Sequence, residues 1–92
     1  MDKSITSQEY RVFLRKLRAA RRESGLTQVA LADRLGETQS FVSKCERGER
    51  RLDIVEVRAF CQAFGVSLTA FAGQLDRTLT NASRLTAKRP RP

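Results

Sequence analysis

The stretch Leu26–Arg51, with the sequence LTQVALADRLGETQSFVSKCERGERR, decides how this chain folds. It contains two segments of helical spacing, predicted over Gln28–Leu35 and Gln39–Arg47. Each is preceded by a threonine, which can accept a hydrogen bond from a free N–H of the first turn. Each is followed by a glycine, which commonly ends a helix in the left-handed conformation. These flanking residues are Thr27 and Gly36 for the first segment, and Thr38 and Gly48 for the second.

The apolar residues of these two short helices indicate how they pack. Val29, Ala32 and Leu35 are predicted to line the inner face of the first helix. Val42 and Cys45 are predicted to do so in the second. Ala32 is small at the point where the two helices would cross. Such a pair holds its second helix out from the domain, where it can enter a DNA major groove about 12 Å wide.

Three further helices are predicted around this pair. The first runs from about Ser7 to Ser24, because Thr6–Glu9 has the pattern of a capping box. A second capping box, Asp53–Glu56, precedes the fourth helix, and Ser67 precedes the fifth, which either ends early or resumes further along the chain. The expected core positions are Phe13, Leu17 and Ala20 of the first helix, Ile54, Val57, Phe60, Cys61 and Phe64 of the fourth, and Leu68 and Phe71 of the fifth.

The fold class is therefore predicted as all-α: one compact five-helix domain over residues 1–79, followed by a basic tail over residues 80–92. No acid follows Asp76. The end of the chain combines two prolines with the cations Arg84, Lys88, Arg89 and Arg91. We expect this tail to be disordered. The domain leaves no room for a second, ligand-sensing domain.

The charge of the chain favours an anionic partner. Lys and Arg total 18 against 10 acids, which gives a net charge of +8. Nucleic acid is the first candidate and an anionic membrane surface the second. No apolar run approaches the roughly 18 residues of a membrane span, and the N-terminus lacks the apolar core of a signal peptide. We expect a cytoplasmic protein with no membrane partner. One face of the first helix carries Arg11, Arg15, Arg18 and Arg22, which we expect to be solvated.

Several classes of chemistry lack the residues they need. The chain has no histidine, and its two cysteines, Cys45 and Cys61, form no CxxC pair. A structural zinc site takes about four ligands, so we expect buried free thiols and no metal or other cofactor. There is no activated nucleophile pair and no phosphate-cradling glycine loop, so an enzyme is not expected and no residue is assigned a catalytic role.

The second short helix carries the residue types that read bases. Gln39 and Ser40 stand at its start, the end that a helix-turn-helix directs at base edges. A glutamine amide donates and accepts at once, so it can contact adenine N6 and N7 together. Ser43 and Lys44 follow one turn later. Phe41 either contacts thymine methyl groups or completes the core.

Phosphate groups require exposed N–H groups and cations, and these flank the same helix. Thr27 and Gln28 open the first short helix, whose positive end can face a phosphate. Arg47, Arg50 and Arg51 follow the second short helix. These five residues are the predicted phosphate contacts. Three leucines of the fifth helix are either core residues or a dimer interface: Leu68, Leu75 and Leu79.

At this point a family resemblance emerges. The run LTQ, then LADRLG, then QSFVSKCERGERR closely resembles the Cro/CI (XRE) family of helix-turn-helix regulators, and the similarity extends over Leu14–Phe71. The resemblance implies a lambda-repressor-like domain that binds a palindromic operator as a dimer. Two positions depart from the family: Leu52 stands where proline is common, and Cys45 where a large apolar residue is usual.

The resemblance also implies residue roles. Gln28 would contact a phosphate and brace Gln39. Base reading falls to Gln39, Ser40 and Lys44. Glu46 would organise the fold by pairing with an arginine of the first helix, such as Arg21.

Two functions from different classes are compatible with the sequence. The first is a transcriptional regulator, most simply a repressor, that binds double-stranded DNA as a homodimer. The second is an antitoxin-like interaction module that binds a protein partner, a toxin or a co-regulator, and autoregulates its operon. In the second case, the segment after Gly73 would be the partner-binding segment.

Overall fold

The structure, a computed structural model, describes the backbone of residues 4–87 and the side chains of residues 8–82. This part of the chain is helical throughout and contains no strand. The five helices, in chain order, are α1 (Ser4–Glu23), α2 (Gln28–Leu35), α3 (Gln39–Glu46), α4 (Ile54–Phe64) and α5 (Leu68–Ala87). The predicted all-α, five-helix fold is confirmed.

One hydrophobic core joins the five helices. The most completely buried large side chains come from four of them: Leu17 of α1, Leu31 of α2, Val42 and Cys45 of α3, and Phe60 and Cys61 of α4. Phe71 extends the core into α5, where its ring lies edge-on to that of Phe13, 6.1 Å away. Burial of a large apolar side chain stabilises a fold by roughly 1.5–3 kcal/mol. This core fixes α2 and α3 against the rest of the domain.

The helix starts follow the capping chemistry predicted from the sequence. Thr27 and Thr38 each accept a hydrogen bond of 3.0 Å from a backbone N–H three residues later. Asp53 and Glu56 form both bonds of the capping box, at 2.8 and 2.9 Å. Gly48, at φ 81°, lies where a Cβ would come within 3.0 Å of a Leu14 methyl carbon. The end of α3 can therefore approach α1 only with glycine there.

The two terminal helices are longer than predicted. Because α1 begins at Ser4, Thr6 lies inside the helix, and the prediction of a capping box at Thr6–Glu9 is wrong. No glycine or proline interrupts residues 4–9, so the helix continues past the local signal. Likewise α5 runs without a break to Ala87, so residues 80–87 are helical, where the composition favoured a disordered tail. The rest of the predicted tail, residues 88–92, lies outside the described residues.

Two predicted core positions are exposed. Val29 is 58% exposed and Ile54 is 64% exposed. In α2 the inner face is instead formed by Leu31 and Ala32, with Leu35 partly buried against the core. A helix of two turns defines its apolar face only broadly, and the crossing of α2 with α3 and α4 decides which side is covered. Ile54 is the first residue of α4 and extends past the edge of the core.

Both cysteines are fully buried and free, as predicted. Burial raises the pKa of the Cys45 thiol and of the Cys61 thiol. The two side chains therefore act as small apolar residues at neutral pH.

The departure from the family at Leu52 has a local explanation. The Leu52 N–H donates a hydrogen bond of 3.1 Å to the Tyr10 hydroxyl. Proline has no N–H and could not make this bond. The guanidinium of Arg51 lies 4.2 Å from the centre of the Tyr10 ring. Leucine at position 52 thus fixes the loop between α3 and α4 to the first half of α1.

Within the described residues, no single helix is long and apolar enough to cross a membrane. The pair formed by α4 and Leu68–Ala82 of α5 meets that length and composition together, but the two are bent by 109° at the break between them.

Candidate nucleic-acid interface

The start of α3 is a polar, exposed end of a helix that is buried elsewhere. Gln39 and Ser40 are exposed, and so is Lys44 one turn later. Ser43 is half-buried, and its hydroxyl oxygen accepts a short hydrogen bond from Arg47. On the opposite side of α3, Val42 and Cys45 are in the core, as are most atoms of Glu46. The four predicted base-contact residues therefore lie together on the outer side of α3 and at its start.

A hydrogen bond fixes the position of the Gln39 amide. Gln39 Nε2 donates to Gln28 Oε1 at 2.7 Å. The bracing of Gln39 by Gln28 that the resemblance implied is confirmed. One amide N–H of Gln39 and its carbonyl oxygen remain for another partner. One donor and one acceptor are the groups that adenine N7 and N6 require in the major groove.

Gln28 is in turn held by the buried acid of α3. Its Nε2 donates to Glu46 Oε1 at 2.9 Å. Glu46, which is 3% exposed, forms an ion pair with Arg21, whose Nε lies 2.6 Å from Oε2 and whose Nη2 lies 3.2 Å from Oε1. The remaining nitrogen of Arg21 donates to the Leu26 carbonyl at 2.9 Å. The predicted pairing of Glu46 with Arg21 is confirmed.

These contacts form a continuous chain of hydrogen bonds, Arg21–Glu46–Gln28–Gln39, from the core to the exposed start of α3. A buried charge is costly unless it is paired and hydrogen-bonded. No buried side-chain nitrogen or oxygen in the described part of the chain lacks a partner. Glu46 therefore serves the fold and the surface at once: it neutralises Arg21 and positions Gln28.

The start of α2 lies beside the start of α3 and presents the predicted phosphate contacts Thr27 and Gln28. The Thr27 hydroxyl oxygen accepts the capping bond from Ala30 N–H, which leaves its own O–H free to donate. Thr27 is exposed and Gln28 is half-buried. The positive end of the α2 dipole adds to the attraction for an anion at this position.

The three arginines after α3 are each engaged within the protein. Arg47 pairs with Glu49 at 2.8 Å, and Arg50 pairs with Glu56 at 2.8 Å. Arg51 lies over an aromatic ring of α1, as described above. The structure keeps all three on the surface near α3, but none of them is a free cation.

Both ion pairs change the titration of their acids. Hydrogen bonding by Arg47 lowers the pKa of Glu49, and hydrogen bonding by Arg50 lowers the pKa of Glu56. A lowered folded-state pKa stabilises the fold above the unfolded value and loses this contribution as the pH falls through the folded value. The pairs therefore persist at neutral pH.

Phe41, left open by the sequence, packs inward. Its ring centre lies 6.5 Å from that of Phe60, and the Arg50 guanidinium covers its ring at 4.9 Å. It completes the core beneath the recognition surface.

The three leucines assigned to a possible dimer interface are half-buried. Leu68 and Leu75 pack against the core. Leu75 also lines a mainly apolar groove together with Tyr10, Phe13, Leu52 and Ile54. Ile54 and its neighbour Val55, 72% exposed, stand beside this groove.

Comparison with known proteins agrees with this architecture. A helix-turn-helix family model matches residues 17–71. An uncharacterised HTH-type transcriptional regulator of Sinorhizobium fredii is 38% identical over 58 residues, which cover 63% of this chain and 75% of the relative. A solved XRE-family-like protein from Pseudomonas syringae pv. tomato is 43% identical, with a TM-score of 0.78 over 83% of this chain and 93% of the other.

The chain belongs to the XRE-type helix-turn-helix family. It is a DNA-binding transcriptional regulator by family, with α2 and α3 as the helix-turn-helix. The family is not one of enzymes.

Proposed function

We propose that this protein is a sequence-specific repressor that binds a palindromic operator in double-stranded DNA as a homodimer. It would act in the cytoplasm, where the DNA lies. In this proposal α3 enters the major groove, and Gln39, Ser40, Ser43 and Lys44 contact base edges. The observation that carries the proposal is the Gln39 amide, held by Gln28 at the exposed start of α3 with one donor and one acceptor left free.

Phosphate contacts would flank the reading helix. Thr27 and Gln28 present an O–H, an amide and the positive end of α2 to one stretch of backbone. Arg47, Arg50 and Arg51 would contact the other stretch. The two that are paired with acids must exchange a glutamate for a phosphate when they bind. Exposed ion pairs contribute only about 0–1 kcal/mol, so this exchange is cheap.

Dimerisation would use the apolar surface opposite the helix-turn-helix. One recognition helix reads only a half-site, and a dimer places two of them about one helical turn of DNA apart. The groove lined by Leu75, with the exposed side chains of Ile54 and Val55 beside it, is the apolar surface that a second copy would cover. Leu68 and Leu79 lie on the same helix as Leu75.

Selection of random duplex DNA by the purified protein tests the function. We expect an enriched palindrome with half-sites about 10 bp apart, centre to centre. Enrichment of no sequence, with general salt-sensitive affinity alone, would overturn the proposal and direct the search to a protein partner such as a toxin.

The matched variant is Gln39→Ala/Ser40→Ala. Each good bidentate base contact contributes about 1–3 kcal/mol of discrimination. We expect the variant to bind selected and scrambled duplexes with affinities within a few-fold of each other, at unchanged helical content by circular dichroism. Undiminished discrimination would show that α3 does not read the bases through these two residues.

A further inference from the structure

One face of α1 carries a row of arginines along most of its length. Arg11, Arg15, Arg18 and Arg22 follow each other at intervals of three or four residues, which places them on one side of the helix. At a rise of 1.5 Å per residue, the row extends over roughly 16 Å. We refer to these four residues as the α1 arginine row.

The α1 arginine row borders a concave surface. Its four residues line an open cleft of about 620 Å³ together with Leu14, Arg21, Gln28, Glu46 and Arg47. Gln28 and Arg47 are residues to which the proposed function gives phosphate contacts. The row is therefore continuous with the surface that would face DNA, at the side where α2 begins.

The cleft is strongly cationic because almost nothing neutralises it. Its one carboxylate, Glu46, is buried and already paired with Arg21. Among the described side chains, residues 8–82, none of the arginines of the row forms an ion pair. Arg18 donates one hydrogen bond to the Glu46 backbone carbonyl at 2.8 Å, which orients its guanidinium without removing its charge.

The dimensions of the row suit a nucleic-acid backbone. Each DNA strand carries one phosphate per 3.4 Å of helix axis, so roughly 16 Å corresponds to four or five phosphates of one strand. Arginine is well suited to such contacts because its planar fork binds phosphate oxygens in pairs. A row of separated cations along a rigid helix matches a linear array of anions better than it matches a single small anion.

Half of the row lies outside the segment that the family model covers. That segment begins at residue 17, so Arg11 and Arg15 belong to the N-terminal part of α1 that precedes it. We propose that Arg11 and Arg15 extend the phosphate-binding surface, so that the α1 arginine row binds a stretch of DNA backbone beyond that contacted by α2. The inference rests on the proposed function and adds affinity without base specificity.

The test is the salt dependence of binding by Arg11→Gln/Arg15→Gln. Glutamine keeps the length, the polarity and the helix propensity of the position while removing the charge. Each phosphate contact contributes about 0.9 to the slope of log K against log salt. We expect the slope to fall by about 2, and the affinity for selected and scrambled duplexes to fall alike, on the order of tens-fold at 0.1 M salt.

The control variant is Arg58→Gln/Arg77→Gln, which removes two exposed charges outside the cleft. A second variant, Arg11→Lys/Arg15→Lys, retains the charge and is expected to retain the slope. Anisotropy titrations with fluorescent duplexes between roughly 50 and 200 mM salt give all the slopes, and urea unfolding checks that each variant is folded.

Each outcome separates the two proposals. If the natural protein selects and binds an operator while Arg11→Gln/Arg15→Gln has the same slope as the control, the extended surface is wrong and the proposed function stands. A loss of affinity at unchanged slope would also overturn the extended surface. If the natural protein binds no duplex at any salt, both proposals fall together.

Discussion

Arginines occur in two groups on this surface, and the groups differ in what surrounds them. In the loop after α3, Arg47 and Arg50 each lie within 2.8 Å of a glutamate oxygen. On α1, the arginine row lines an open cleft whose one carboxylate is buried and paired with Arg21. The count of cations is similar in the two groups, but the charge that is available to a partner is concentrated on α1.

The difference arises from local structure. The loop residue Glu49 lies two positions after Arg47, and Glu56 stands at the third position of α4, where the capping box holds it. Both acids therefore lie close to the loop arginines. The α1 arginine row has no such neighbour among residues 8–82, because the acid that approaches it from α3 is used inside the fold. An arginine in a basic motif is thus a phosphate contact only to the extent that its own chain leaves it unpaired.

The largest expected effect concerns the acid beneath the cleft. Glu46→Ala leaves Arg21 as a buried charge without its partner, and we expect a loss of about 3–5 kcal/mol in the free energy of unfolding. Urea denaturation followed by circular dichroism measures it. Glu49→Ala, which breaks an exposed pair, is the control and should cost no more than about 1 kcal/mol. Equal losses in the two variants would show that the two acids do not differ in role.

A smaller effect is expected from the loop arginines. Arg50→Ala/Arg51→Ala should weaken binding to all duplexes alike and lower the salt slope by about 1. We expect this change to be smaller than that of Arg11→Gln/Arg15→Gln, because phosphate binding by Arg50 must first displace Glu56. The same anisotropy titrations measure both slopes. A larger change in the loop variant would reverse the comparison, and no change would mean that these two arginines do not contact phosphates.

The smallest expected effect is a gain. Glu49→Gln/Glu56→Gln frees the two loop arginines, while glutamine at position 56 can still complete the capping box. We expect binding to scrambled DNA to tighten a few-fold and to depend more steeply on salt, because two more cations can contact phosphates. Glu9→Gln/Asp76→Asn removes two acids elsewhere on the surface and controls for net charge. Similar gains in both variants would indicate that only net charge matters.

The parts of the fold predicted from the sequence are those fixed by local chemistry. The threonine caps, the Asp53–Glu56 box and the limits of α2 depend on residues within one turn of each other. The pairing of Glu46 with Arg21 followed from the family resemblance. Tertiary packing decided what local patterns could not: Val29 and Ile54 match a helical stripe but lie beyond the edge of the core.

The candidate site was predicted in its membership more than in its charges. The residues expected at the start of α3 do lie together on one surface. The ion pairs of Arg47 and Arg50 were not predicted, since loop conformation brings their partners close. The α1 arginine row was expected to be merely solvated, because composition along one helix does not show which other elements share its surface.

The Gln28–Gln39 hydrogen bond has a consequence for the thermodynamics of recognition. A free glutamine side chain samples many rotamers, and immobilising a rotamer-rich side chain at an interface costs about 0.5–1.5 kcal/mol. In this protein, most of that entropy is lost when the chain folds, because the amide of Gln39 is already held at 2.7 Å from Gln28. A duplex that offers the matching base edge therefore meets a reader that is already oriented. A mismatched duplex cannot be accommodated by swinging Gln39 aside without breaking that bond, so stiffness at this one amide sharpens discrimination.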